Sequence, residues 1–238
     1  MLHGHRVFSI VPSHDEAAFV GRVVQTMPAY VDHIVVVDDA SRDGTAEAAE
    51  TAGDARVVVL RHSRNLGVGA AIATGYRWAL AAPGAPSDAF CVMAGDGQMA
   101  PEDLEAVAAP VLLGTADYVK GNRFAHPGTA RQMPRARRFG GLVFSALTRV
   151  ATGLPIEDSQ CGYTALSRSA AAALDLDALW PGFGYPNDLL GLLAARRMRV
   201  GQVPVRAVFG DEKSDLKLRH LPRIGALIAR AYVRRRLA

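Results

Sequence analysis

Through the first half of the chain, short unbroken apolar runs take turns with longer stretches whose apolar residues recur at helical spacing. Arg6–Pro12 precedes Glu16–Met27, His33–Val37 precedes Thr45–Ala52, Arg56–Leu60 precedes Val68–Ala82, and Ala89–Ala94 precedes Pro101–Leu113. Continuous Val/Ile-rich runs suit strands covered on both faces, and the stretches between them serve as crossover helices. This order predicts an α/β fold: a single Rossmann-like domain with a mostly parallel central sheet flanked by helices. Beyond Tyr118 the alternation stops. A basic helix over about 134–152, a polar turn, a helix over about 187–198, a strand over about 200–209 and a closing helix from about Leu221 are expected there. No internal repeat or low-complexity linker interrupts the chain.

Composition narrows the class. The 238 residues, half of them hydrophobic and 21% charged, suit one folded domain. Cys91 and Cys161 lie far apart and form no CxxC pair, which argues against a disulfide scaffold or a zinc site and fits a reducing cytoplasm. The opening MLHGHRVFSIVPSHDE reads as a first strand, not a signal peptide, and no run of apolar residues is long enough to predict a membrane span. The net charge of +4 is uneven, with arginines crowded between Arg131 and Arg138 and in the last twenty residues. Such clusters call for an anionic partner. Aromatic residues are not interleaved with them as a stacking platform requires, so no nucleic-acid partner is expected.

In open α/β sheets ligands bind beyond the carboxyl ends of the strands, so polar residues there come first. The second strand ends in Asp38-Asp39, followed by Ala40-Ser41-Arg42-Asp43-Gly44-Thr45. Asp43 and Thr45 read as turn and cap residues. Adjacent carboxylates closing a buried strand repel one another unless something binds them, which marks Asp38 and Asp39 for a base or ribose. Arg64-Asn65-Leu66-Gly67-Val68-Gly69 superficially suggests a dinucleotide fingerprint, but it follows the third strand and its first glycine comes too late. Gly67 and Gly69 either let backbone approach a nucleotide or pack the helix closely. In Met93-Ala94-Gly95-Asp96-Gly97-Gln98-Met99, a strand delivers a carboxylate and an amide two positions apart. Both supply oxygens on one side of an extended segment, as Mg²⁺ or Mn²⁺ prefers.

The ordered series VPSHDE, VVVDDASRDGT, RNLGVGAAIATGY, MAGDGQM and KGNRF resembles glycosyltransferase family 2, with the GT-A fold. Within it the chain looks most like the polyprenyl- or dolichyl-phosphate sugar synthases, and Asp158-Ser159-Gln160-Cys161-Gly162-Tyr163 is similar to their D-x-Q-C-G-aromatic stretch. The resemblance implies a nucleotide-sugar-binding half over about 1–120, an acceptor half over about 121–218 and a basic amphipathic helix over about 219–238. It places Pro12, Glu16, Asp38, Asp39, Asn65 and Gly67 around the nucleotide, Asp96 and Gln98 on the metal and diphosphate, and Arg123 on phosphate charge. Such enzymes often carry D-x-D where this chain has Ala94-Gly95-Asp96, so one carboxylate is missing.

For the acceptor half the resemblance implies phosphate contacts at Arg131, Arg135 and Arg138, with Arg137 in the same cluster. Lys213 and Ser214 belong to what looks like the mobile loop of this branch. Asp158 and Asp188 are the candidate bases, Asp188 standing where hydroxyl-acceptor relatives keep theirs, beside an Asn187 that replaces Glu. A helix cap at Asp188 is an equal alternative. In the last helix Leu221, Ile224, Leu227, Ile228 and Ala231 form an apolar stripe flanked by arginines, suited either to an anionic membrane surface or to its own domain. The expected activity is inverting transfer of a hexosyl unit from a UDP- or GDP-sugar to a polyprenyl phosphate, by a peripheral enzyme at the inner, cytoplasmic face of the membrane. The alternatives are transfer to a hydroxyl of a soluble acceptor, and a nucleotide-sugar-binding protein without turnover.

Overall fold

The computed structural model describes residues 1–208 and 221–237, without the side chains of Ala130, Arg131, Ala136 and Leu221. Lys213 and Ser214 therefore lie outside the described residues, as does the Arg131 side chain. Seven strands form one sheet in the order β3-β2-β1-β4-β6-β5-β7. β1 (Val7–Ser13), β2 (His33–Asp38), β3 (Val57–Arg61) and β4 (Ala89–Val92) run parallel and are joined by α1 (Val20–Gln25), α2 (Thr45–Glu50) and α3 (Val68–Ala81). A 3₁₀ turn, Pro101–Asp103, and α4 (Leu104–Leu112) lead to β5 (Tyr118–Asn122). β6 (Thr164–Ser167) lies antiparallel between β4 and β5, and β7 (Val200–Pro204) is parallel to β5. The fold is thus α/β with a mostly parallel sheet.

The alternation of side chains across the strands divides the core. Val7, Val11, Ile34, Val36 and Cys91 face Val20, Val23, Val24, Leu104 and Val107 of α1 and α4. Phe8, Ile10, Val35, Val37 and Phe90 face α3, α7 (Arg168–Ala173) and α8 (Tyr185–Ala195). Both faces are covered, which is why the strands read as unbroken apolar runs. β6 had no such signal: four residues with threonine and serine at its ends lack the Val/Ile run that marked the others. The long helix expected at Glu16–Met27 is six residues long, and the residues before it form a turn in which the amides of Asp15, Glu16 and Ala17 bond Ser41, Thr45 and Asp43.

α5 (Pro127–Gln132) and α6 (Arg135–Thr152) connect β5 to β6, and α9 (Leu221–Leu237) packs on α8 and α6. The stripe of α9 is turned inward: Ile224, Leu227, Ile228 and Ala231 are all buried. Of its two sequence alternatives, the apolar face is used on the domain. α6 is the reverse. Its buried side carries Ser145, Thr148 and Thr152, while Phe139, Leu142, Val143, Leu147 and Val150 stand in solvent, Phe139 and Val150 more than 70% exposed.

The start of α3 is set by close approach. Gly67 has φ +98°, and a Cβ on Gly69 would lie 2.2 Å from the Trp180 carbonyl oxygen and 2.9 Å from Tyr185 Cβ. Alanine normally stabilises a helix relative to glycine by about 1 kcal/mol. Gly69→Ala is expected instead to lose about 1–3 kcal/mol through overpacking, whereas Gly140→Ala in α6, with nothing within 4 Å, should not. Thermal melts of the two variants read the difference.

Candidate active site

β1, β2 and β4 all end on one edge of the sheet, and their following loops are laced together. Gly95 N donates to Pro12 O at 3.1 Å, and a Cβ on Gly95 would lie 2.2 Å from Ser13 Oγ. Only glycine lets the loop after β4 come this close to the end of β1. Asp15 Oδ1 accepts from Arg42 N at 2.8 Å and Asp43 from Ala17 N at 3.0 Å, joining the turns after β1 and β2. Burial pushes the Asp43 carboxyl up, but hydrogen bonds from Thr45 and Ala17 outweigh it and hold it below the usual range. Glu16 and Pro12 lie on this edge, Pro12 buried and Glu16 half-buried.

The adjacent carboxylates are met by the protein's own donors. Asp38 accepts from the Ser41 amide at 3.1 Å and from the Ser41 hydroxyl. Asp39 accepts from His62 Nδ1 at 2.7 Å, Leu66 N at 2.8 Å and Gly67 N at 2.7 Å. The repulsion that pointed to a bound ligand is thus relieved within the chain. Asp39 shapes the 62–67 loop, leaving Asn65 exposed at its tip. The far side of this loop packs on Trp180–Gly182, where glycines at 67 and 69 permit the close approach.

Asp96 lies at the end of the β4 segment, half-buried, with Oδ1 accepting from Gln98 N at 2.9 Å. It lines a cleft of about 680 Å³ whose walls include Phe19, Val23 of α1, Met99, His126 and Thr129. Among the described residues no three His, Cys, Asp or Glu side chains converge as a metal cage. One carboxylate and one amide oxygen fit an ion that takes the rest of its shell from phosphate and water, as Mg²⁺ does.

Beside this edge is a buried ion pair. Arg123 Nε and Nη2 reach Asp158 Oδ2 and Oδ1 at 2.7 and 2.9 Å, and Arg123 N adds a third bond at 3.1 Å. Burial pushes the fully enclosed Asp158 carboxyl up, but the Arg123 guanidinium more than offsets this and its net position is below the ordinary range. Arg135 and Arg138 point to solvent. Arg137 is exposed as well, but partial desolvation and then Arg123 push its guanidinium down, against the opposing pull of Asp158 and Asp96. Asp188 is fully buried: Oδ1 accepts from Arg234 Nη1 at 2.6 Å and Oδ2 from Trp180 N at 2.8 Å. Its neighbour Asn187 accepts from Thr148 Oγ1 at 2.8 Å and Gln160 Nε2 at 3.2 Å.

Residues 9–174 match the family model described as Glycosyl transferase family 2. The chain belongs to glycosyltransferase family 2. It is 33% identical to undecaprenyl-phosphate mannosyltransferase of Micrococcus luteus, over 85% of this chain and 84% of that one. It is 27% identical to UDP-N-acetylglucosamine–dolichyl-phosphate N-acetylglucosaminyltransferase of Methanococcus voltae, covering 86% of each. The fold is GT-A: mannosyl-3-phosphoglycerate synthase of Rubrobacter xylanophilus superposes with TM-score 0.67 at 20% identity, over 98% of this chain and 74% of that one. Glucosyl-3-phosphoglycerate synthase of Mycobacterium tuberculosis, in a structure with Mn²⁺ and UDP, superposes with TM-score 0.63 at 18% identity, over 97% and 78%.

In this glycosyltransferase, sequence reasoning passed over His62, which holds Asp39 on one side and Thr74 Oγ1 on the other at 3.0 Å. It also passed over Lys120. A lysine between Val119 and Gly121 inside a strand was the available signal, since a charge there must be buried or face a site. Lys120 is fully buried, bonds the Cys161 carbonyl, and lies in the field of Asp158 and Arg123. Burial pushes its ammonium down to about 8.

The unfolded chain holds the Lys120 proton up to about 10.5, whereas the folded chain releases it near 8, so the Lys120 contribution to stability should rise with pH across that window. Below about pH 8 both states are protonated and the slope vanishes. Denaturant titrations of the wild type and Lys120→Met are expected to show the wild type gaining stability relative to the variant as pH rises through this window, while the buried Cys91 and Cys161 thiols, pushed up by burial, lower both proteins alike at its upper end.

Proposed function

We propose that this enzyme transfers a hexosyl unit, with inversion, from a UDP- or GDP-sugar to a polyprenyl phosphate at the cytoplasmic face of the membrane. The donor nucleotide lies along Pro12, Glu16, Asp38, Asp39, Asn65 and Gly67, with its diphosphate toward Asp96. Asp96 and Gln98 hold Mg²⁺ or Mn²⁺, which when bound supplies Lewis-acid stabilisation of the leaving diphosphate. Arg123, fixed in its buried pair, and Arg137 beside it add positive charge on the same side.

The observation that carries the acceptor assignment is the state of the two candidate bases. A sugar hydroxyl must give up its proton as it attacks. Asp158 is locked in a bidentate pair that lowers its proton affinity, and both oxygens of Asp188 are already engaged by Arg234 and Trp180. A phosphate monoester is anionic at neutral pH and attacks without a base. This favours a phosphorylated lipid over a hydroxyl acceptor, and the names of the two relatives agree with it.

The inverted amphipathicity of α6 supports a peripheral position. No helix among the described residues is long and apolar enough to cross a membrane. The exposed stripe from Phe139 to Val150 is edged by the exposed Arg135, Arg138 and Arg149, the composition of a helix lying in an anionic interface. Arg135 and Arg138 then meet lipid or acceptor phosphate at the surface.

A donor panel assayed for released nucleotide, with Mg²⁺ or Mn²⁺, should show turnover with polyprenyl phosphate and none with the unphosphorylated polyprenol. Efficient transfer to a soluble sugar hydroxyl would overturn the acceptor assignment. Asp96→Asn should weaken metal-dependent nucleotide binding at least as much as the about 10–100-fold lost when a residue supporting a metal ligand is removed. In vesicle flotation, Arg135→Ala with Arg138→Ala should reduce binding to anionic liposomes by about 1 kcal/mol per residue. Phe139→Glu should reduce binding to neutral liposomes as well.

A further inference from the structure

Asp188 occupies a junction between three parts of the molecule. Its carboxylate receives Arg234 at 2.6 Å and Arg230 at 3.6 Å from α9, and the Trp180 amide at 2.8 Å from the segment leading into α8. Arg230 and Arg234 also reach the Ala178 carbonyl at 3.4 and 3.3 Å, and the Arg223 guanidinium lies 5.1 Å from the centre of the Trp180 ring. One buried charge therefore ties the last helix to residues 178–184.

That segment is also the wall behind the loop of residues 62–69. Ala70 N donates to Pro181 O at 3.0 Å, and a Cβ at Gly67 would lie 2.6 Å from the same oxygen. The loop is gripped from the β2 side by Asp39 and from the other side by Trp180–Gly182. We propose that Asp188 is a positioning residue for the donor: it clamps α9 to Trp180, fixes the wall on which the 62–69 loop is set, and so makes docking of α9 a determinant of nucleoside diphosphate affinity. This rests on the donor site assigned above.

The physical consequence is specific. Without the clamp, Arg230 and Arg234 no longer pair with the charge at 188 and α9 no longer holds Trp180 in place, so the wall relaxes. Binding must then order the loop as well as fill the site, which weakens affinity without touching the transfer step. A general base at this position would do the opposite, lowering kcat while leaving nucleotide affinity intact.

The test uses the full chain, with UDP or GDP plus Mn²⁺ titrated calorimetrically and kcat measured at saturating donor. Asp188→Asn and Arg234→Met are each expected to raise the nucleotide Kd about tenfold, the cost of one charge-assisted hydrogen bond. The double variant should be no weaker than either single one, because both break one clamp. Arg234→Lys, which keeps the charge, should recover part of the affinity. Asp177→Asn, which breaks only the exposed pair with Arg77, should leave it unchanged. If Asp188→Asn does not fold, Arg234→Met and Arg234→Lys decide the matter. Wild-type protein that binds neither nucleotide would refute the donor site itself. Wild-type binding matched by Arg234→Met would refute the clamp alone, as would loss of kcat in Asp188→Asn at unchanged Kd.

Discussion

A buried carboxylate must be met by donors or it costs several kcal/mol, and the working half of this enzyme is assembled around three that are met. Asp39 is closed by His62 and two loop amides, Asp158 by both arms of Arg123, and Asp188 by Arg234 and Trp180. Each joins segments distant in the chain: β2 to the 62–67 loop, β5 to the loop before β6, α8 to α9. The sheet supplies a common edge, and these charges decide how the loops are held over it.

Asp96 is different in kind. It is partly open, accepts from the Gln98 amide, and has no second carboxylate at position 94. A site with few protein oxygens binds an ion well only when phosphate completes the shell. On the donor site proposed above, donor and metal would bind as a unit, with the positive charge of Arg123 and Arg137 on the diphosphate side.

The helices outside the sheet divide their labour by which face they turn inward. α9 spends its apolar stripe on α8 and α6 and keeps its arginines for Asp188 and solvent. α6 buries serine and threonine against Ser159 and Asn187 and leaves phenylalanine, leucine and valine outside. A polar buried face is tolerable here because the hydroxyls of Ser145, Thr148 and Thr152 bond carbonyls one turn earlier in their own helix.

The order of strands β1 to β4, their crossover helices and the glycine-framed Asp96 loop were determined by the sequence itself. Unbroken Val/Ile runs and helical spacing are local signals with one packing solution. So was the family, through an ordered set of motifs. Tertiary structure alone decided the antiparallel insertion of β6, whose four residues carry no periodicity, and the partners of every buried charge. No local pattern shows that Asp39 is met by His62, Leu66 and Gly67, because these donors lie up to 28 positions away. Both α9 and α6 carry an apolar stripe at helical spacing. Which one is covered depends on where α8 stands, and no local pattern contains that.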